Sequence, residues 1–200
     1  IRDRNRSLLE SSPPKSACVV FDWGICCLSA AGCHDGGEII VQRQEEAFYK
    51  PVEAGYLGQK NCTRCRHLIT GVPFLGGLVA LANEISLEVH VESIRYQKFT
   101  EQLKELEDEQ YDALQSSTPF TRETERKAAI ANQQQSAGKL DALLSDYVAL
   151  NHRIQSCIEI INDPDTTAND DIRLVTASTA DQICLAHEDA HTSYHLPVSY

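Results

Sequence analysis

The chain has 200 residues, a formal net charge of -11, 42% apolar residues and only 6% aromatic ones. That apolar content can bury a core, but so few aromatics predict one or two small units rather than one large globule. The negative balance excludes a broad basic surface for a nucleic-acid backbone, so any DNA contact must come from local clusters such as Arg2, Arg4 and Arg6, or Lys60, Arg64 and Arg66.

Taken in order, residues 1–16 read as a charged helical tail ending at Ser11-Ser12-Pro13-Pro14, because two prolines cannot sit inside a continuing helix. Residues 17–71 read as a zinc-binding module. Ala17 to Trp23 has the β-branched and aromatic content of a short strand, and Glu38-Ile39-Ile40-Val41 is a second strand candidate. Gly36-Gly37 and Tyr49-Lys50-Pro51-Val52 make the rest irregular, as is common where a metal replaces a hydrophobic core.

Residues 72–163 read as a long antiparallel, coiled-coil-like helical hairpin. Pro73 suits a first helical position, and Leu75, Leu78, Ala82, Ile85 and Val89, then Phe99, Leu103, Leu106 and Leu114, recur at spacings of three and four. Ser116-Ser117-Thr118-Pro119 breaks this helix. A second begins near Thr121 and carries Leu140, Leu144, Tyr147, Ile154, Ile158 and Ile161 on its predicted stripe. At ~1.5 Å per residue, two helices of roughly forty residues give a hairpin about 60 Å long. Around Asn132-Gln133-Gln134-Gln135 large apolar residues are scarce, so packing there must rely on Ala or on a partner. Residues 164–200 read as a polar loop, with Ile172 to Val175 a short strand or turn, followed by a C-terminal helix from about Ser178.

Eight cysteines fit either a secreted disulfide framework or thiolates on a metal. There is no apolar signal segment and, by sequence, no run long enough to span a membrane, and long charged helices need no disulfide staples. The expectation is a reducing cytoplasm and zinc. The lack of Met, even at position 1, reads as the mark of a piece of a longer or processed chain.

Cys62-Thr63-Arg64-Cys65 is a Cys-x-x-Cys turn, which lets two thiolates face one tetrahedral ion while a second pair supplies the other ligands. The expected set is Cys27, Cys33, Cys62 and Cys65, with Cys26 and His34 as substitutes. A thioredoxin-like role would want a βαβ context, which is absent. Cys18 and Cys157 read as small buried hydrophobes, and His67, His90 and His152 as surface or satisfied residues. Lys60, Arg64 and Arg66 around the turn are the candidate phosphate contacts. His187-Glu188-Asp189-Ala190-His191 matches His-Glu-x-x-His, in which two histidines bind zinc and the Glu activates water. A third ligand is missing, however: His195 lies a further turn along the same helix, and three residues spread over about 12 Å cannot converge on one ion.

Gly24-Ile25-Cys26, Gly32-Cys33-His34-Asp35-Gly36-Gly37-Glu38, Pro51 to Gly58, Asn61 to Arg66 and Ile69 to Leu78, followed by the helical pair, resemble the C-terminal extension of large site-specific integrases of bacterial mobile islands, a divergent branch of the tyrosine recombinases. The likeness covers most of residues 20–190. It implies a zinc knuckle with a helical hairpin, and an accessory role in DNA recombination and integration. In such proteins the catalytic domain precedes this segment, and here no His-x-x-Arg box appears and no Tyr can be assigned as nucleophile. Where the family pattern has a single Cys followed by Pro or Leu, this chain has Cys26-Cys27, so that ligand stays open.

The expected fold is therefore mainly α, with an irregular zinc-bound module, a helical hairpin and a C-terminal helix. The expected function is non-catalytic: assembly with other recombinase subunits, a partner protein or a second copy, with DNA contact as an added role and no membrane. A zinc-dependent DNA-binding module and a His-Glu-x-x-His metalloprotease are the alternatives.

Overall fold

A computed structural model describes residues 18–28, 31–43, 46–52, 54–57, 61–163 and 173–176. The predicted tail at 1–16, Lys60, the helix from Ser178 and the His187, Glu188 and His191 motif lie outside the described residues. The chain is mainly helical, with two long helices and a short antiparallel strand set. It forms two compact units, Ile1–Asn83 with Asp146–Tyr200, and Glu84–Ser145.

In the first unit, β1 (Val19–Phe21) and β2 (Gly24–Cys26) form a hairpin closed by Phe21 opposite Gly24, with Asp22-Trp23 at the turn. Gly24 has φ +154°, and a Cβ there would stand 2.6 Å from the Ile69 carbonyl oxygen, so any side chain would push the neighbouring strand away. β3 (Ile39–Arg43) and β4 (Glu46–Tyr49) form a separate antiparallel ribbon. β5 (Leu68–Gly71) and β6 (Leu174–Val175) complete a four-stranded antiparallel sheet of order β1-β2-β5-β6.

Alternation along these strands sorts the side chains onto two faces. Cys27 and Ile69 are buried together on one face, joined by Cys18, Ile25 and Leu174. Leu68 is buried on the other with Val52 and Cys65, and Trp23 and Cys62 pack against that cluster.

Both long helices form where the spacing predicts. A 3-10 turn at Val72–Phe74 carries Pro73 and leads into α1 (Leu75–Gln115), and α2 runs over Glu123–Asn162. The α1 end is a Schellman motif: Thr118 N–H donates to Ala113 O at 2.9 Å and Ser117 N–H to Leu114 O at 3.3 Å, with Ser117 at φ 54°. One helical stretch, Val72–Gln115, is long and apolar enough to cross a membrane by length and composition, contrary to the sequence expectation. Its Leu78, Leu81, Ala82 and Ile85 are buried within the protein.

In the second unit the inward positions of α1 alternate at spacings of four and three, through Ile85, Val89, Glu92, Tyr96, Phe99, Leu103 and Leu106. Those of α2 run through Ala129, Gln133, Ser136, Leu140 and Leu143. The predicted stripe differs in register at Leu144 and Leu114, which are exposed. Leu143 and Leu144 are equally apolar, so spacing alone does not decide between them. Farther along, Leu150 and Cys157 are buried where the stripe was read through Ile158 and Ile161, both exposed.

The apolar-poor half of α2 packs through buried Ala129 and, beyond it, through a polar layer. Glu92, 1% exposed, accepts from Ser136 Oγ at 2.7 Å, Lys139 Nζ at 3.0 Å and Arg95 Nη1 at 2.9 Å. At the surface, Gln133 Nε2 donates to Thr100 Oγ1 at 3.0 Å, and beside the break between the helices Arg122 Nη1 donates to Glu109 Oε1 at 2.6 Å.

Burial alone would raise the Glu92 pKa, but the hydrogen bonds from Ser136 and Lys139 and the charges of Lys139 and Arg95 outweigh it, and the net shift is downward from 4.5. A depressed carboxylate contributes stability above its unfolded value and loses it as pH falls through the folded one. Thermal unfolding followed by circular dichroism should therefore show a midpoint that drops with acid below about pH 4.5. In Glu92→Gln the midpoint at pH 7 should be lower and this part of the acid dependence smaller. An unchanged acid profile in the variant would rule the layer out as its source.

Candidate thiol site at the Cys-x-x-Cys turn

The turn is built locally. Asn61 Oδ1 accepts from Thr63 N–H at 3.0 Å and from the Thr63 hydroxyl, an Asx turn that starts the bend. Cys65 N–H donates to Cys62 O at 3.2 Å and Leu68 N–H to Cys65 O at 3.3 Å, delivering the chain into β5. The backbone N–H of His67 donates to the Cys65 sulfur and favours its thiolate.

Two other segments bring thiols to this turn. Cys33 lies in the 3-10 turn Ala31–His34, held where Val52 N–H donates to Cys33 O at 3.1 Å and Arg66 N–H to Gly36 O at 2.8 Å. Cys26 sits opposite Leu68 in the β2–β5 pairing, on the face away from Ile25 and Cys27. Burial pushes the Cys62 thiol up to about 12, and the neighbouring Cys65, Cys26 and Cys33 add to it while Arg153 opposes. Cys65 rises to about 11 through burial, against the His67 N–H bond and with Cys26 and Cys33 contributing. The thiols of residues 26, 33, 62 and 65 are therefore electrostatic neighbours. Among the described residues, no group of three or more His, Cys, Asp and Glu stands close enough to hold a metal ion.

The placement of Cys27 departs from the expected ligand set. Cys27 lies beside Cys18, with burial the main cause and Cys18 the next of a pKa pushed up to about 12. The alternation of β2 carries on into the residue after it: Cys26 faces with Leu68, and Cys27 is buried with Ile69 on the other side, away from the turn. The substitute His34 is exposed.

Two charged side chains from α2 hold the turn from behind. Arg153, 7% exposed, donates to Cys65 O at 2.7 Å, Thr63 O at 3.3 Å and Leu68 O at 3.4 Å. No carboxylate among the described residues pairs with it. Burial lowers its pKa, and the thiols of Cys65, Cys62 and Cys157 pull it back up. Asp146, fully buried, accepts from Asn61 Nδ2 at 2.6 Å, Arg64 Nε at 2.7 Å and Tyr56 N–H at 2.7 Å. A Cβ on Gly55 would collide with the Asp146 carboxylate and Asn61 Nδ2, so only glycine lets the loop close over them.

These contacts change the reading of the basic cluster. Arg64 is committed to Asp146, and Arg66 donates to Asp35 O at 2.8 Å and lies 3.4 Å from its carboxylate. Both guanidinium groups are engaged in holding the turn. His67, expected at the surface or satisfied, is 1% exposed; its Nε2 faces Asp35 Oδ1 at 3.1 Å, and its Nδ1 is buried with no hydrogen-bond partner. Burial lowers its pKa against the pull of Asp35, which keeps the ring neutral. His90 and His152 are exposed, as expected. Arg153 and Asp146 escaped the sequence reading. The signal for them was two opposite charges seven residues apart beside the buried positions Leu143, Leu150 and Cys157, where a solvated helix face would not place them.

No family model, no curated protein and no solved structure matches this chain.

Asp146→Ala leaves Arg64 and Asn61 facing an empty buried site and should cost about 3–5 kcal/mol in denaturant unfolding. Arg153→Met leaves three buried carbonyls with no donor and should cost about 3 kcal/mol. Ser145→Ala, on the exposed neighbour, should cost less than about 0.5 kcal/mol. Equal effects at all three positions would show that the turn does not depend on these two charges.

Proposed function

We propose that this chain is a non-catalytic assembly segment in which one zinc ion closes the Cys-x-x-Cys turn and the two helices, packed as an antiparallel coiled-coil hairpin, hold a partner. The partner would be another recombinase subunit or a second copy, and the setting the cytoplasmic integration machinery of a mobile element, following the resemblance to integrase extensions. The observation that carries the reading is Arg153: a buried guanidinium that faces thiols and, among the described residues, no carboxylate is best compensated when those thiols are ionised. A tetrahedral ion held by four thiolates leaves a net negative charge, which the cation offsets. The residues that would hold it are Cys26, Cys33, Cys62 and Cys65, and the His67 N–H bond to sulfur is the type of contact that steadies a thiolate ligand. Zinc there would supply structure rather than reactivity.

The helices support the assembly half. Leu87, Val91 and Ile94 are exposed at 64%, 45% and 55% and recur at spacings of four and three, outside the inward stripe. DNA contact is the weaker arm, since Arg64 and Arg66 are engaged in intramolecular pairs.

The test is metal content by elemental analysis of protein purified without added zinc. About one zinc per chain is expected in the wild type, lost in Cys62→Ser and in Cys26→Ser and kept in Cys27→Ser and Glu188→Gln. Metal that survives Cys62→Ser would move the site to His187 and His191 and reopen the enzyme reading. Sedimentation equilibrium should show self-association reduced at least tenfold in Leu87→Glu with Val91→Glu; a monomeric wild type would leave a different protein as the partner.

A further inference from the structure

The four thiols at the turn leave a second pair unexplained on the other face of the sheet. Cys18 precedes β1 and Cys27 follows β2. The register sets Phe21 opposite Gly24, Val20 opposite Ile25 and Val19 opposite Cys26, so the next rung outward sets Cys18 opposite Cys27. Counting out from a two-residue turn whose closing pair is hydrogen-bonded, this rung is a non-hydrogen-bonded one. In such a rung the α-carbons stand about 4.5 Å apart, within the roughly 4.4–6.8 Å that a disulfide spans. Cys27 is buried with Ile69, and Cys18 packs against it. Neither is in a disulfide, and Cys18 is the more exposed of the two.

We propose that Cys18 and Cys27 form a cross-strand dithiol that peroxides oxidise to a disulfide, a redox site separate from the thiols that face the Cys-x-x-Cys turn. The chemistry balances in two steps. The Cys18 sulfur attacks one peroxide oxygen, forming an S–O bond and breaking the O–O bond; the hydroxide released takes up the thiol proton to give water. The Cys27 sulfur then attacks the Cys18 sulfur, forming the S–S bond, and the departing hydroxide leaves as water with the Cys27 proton. Two thiols lose two electrons, and one peroxide becomes two waters.

The two faces give the pair its selectivity. Strand parity keeps Cys26 on the face of Leu68, so the adjacent thiol is not presented to Cys18, and a disulfide at this rung staples β1 to β2 without drawing on the turn. The inference does not rest on zinc, because the pair would form whether or not the turn binds metal.

The test treats the full chain with hydrogen peroxide, blocks remaining thiols with N-ethylmaleimide, and cleaves before Asp22 and Asp35, which separates Cys18 from the Asp22-to-His34 peptide. The expected result is loss of two thiols per chain and a cross-link between the two peptides that dithiothreitol reverses. The link should persist in Cys26→Ser and vanish in both Cys18→Ser and Cys27→Ser, with helical circular dichroism confirming that each variant folds. A cross-link that survives Cys27→Ser and vanishes in Cys26→Ser would overturn the proposal, as would Cys18 carried to a sulfinic acid with no cross-link. If Cys27→Ser does not fold, Cys18→Ser and Cys26→Ser decide the question alone.

Discussion

The buried guanidinium of Arg153 is the constraint around which the first unit is built. Desolvation makes an unpaired interior cation costly, so something must face it. Three backbone carbonyls of the segment from Thr63 to Leu68 do so, and that requirement fixes the path of the Cys-x-x-Cys turn against α2. About two turns nearer the N-terminus of the helix, Asp146 works with opposite sign, taking donors from Tyr56, Asn61 and Arg64. A helix thus grips one loop with an anion for its N–H and guanidinium groups and a cation for its carbonyls. Neither grip could be supplied by apolar packing, because the groups being held are polar and buried.

The second organising fact is the two-sidedness of a small sheet. Period-two alternation separates Cys26 from Cys27 as firmly as any intervening layer, and it turns a doublet that is ambiguous on paper into two distinct environments. One holds thiols raised by burial and by one another and eased by Arg153; the other holds a hydrophobic rung with Cys18 at its edge. The doublet thus places its two thiols in different surroundings.

Much of the helical architecture was legible in the residues. Pro73 marks the start of α1, the Ser116-to-Pro119 break falls where the Schellman motif ends it, and Asn162 closes α2, because each boundary is set by local backbone chemistry. Val19–Phe21 and Ile39–Arg43 were legible for the same reason. The register of α2 was not, since Leu143 and Leu144 satisfy the spacing rule equally and only the partner helix distinguishes them. The Cys-x-x-Cys turn was legible as a turn, because its residues are contiguous, but its supports were not. Asp146, Arg153 and His67 act through residues more than thirty positions away, and a sequence pattern carries no sign of which loop a helix will meet.

The polar layer in the second unit follows the same logic at a different place. Glu92 occupies an inward position that an apolar residue would fill with more stability in isolation, yet its three donors come from Arg95 on its own helix and from Ser136 and Lys139 on α2. A buried carboxylate of this kind penalises every register in which Ser136 and Lys139 do not arrive opposite it, so it selects one alignment of the two helices. The same rule governs both units separately: a buried charge is kept where the groups that face it are polar and few, so each one admits a single arrangement of its neighbours.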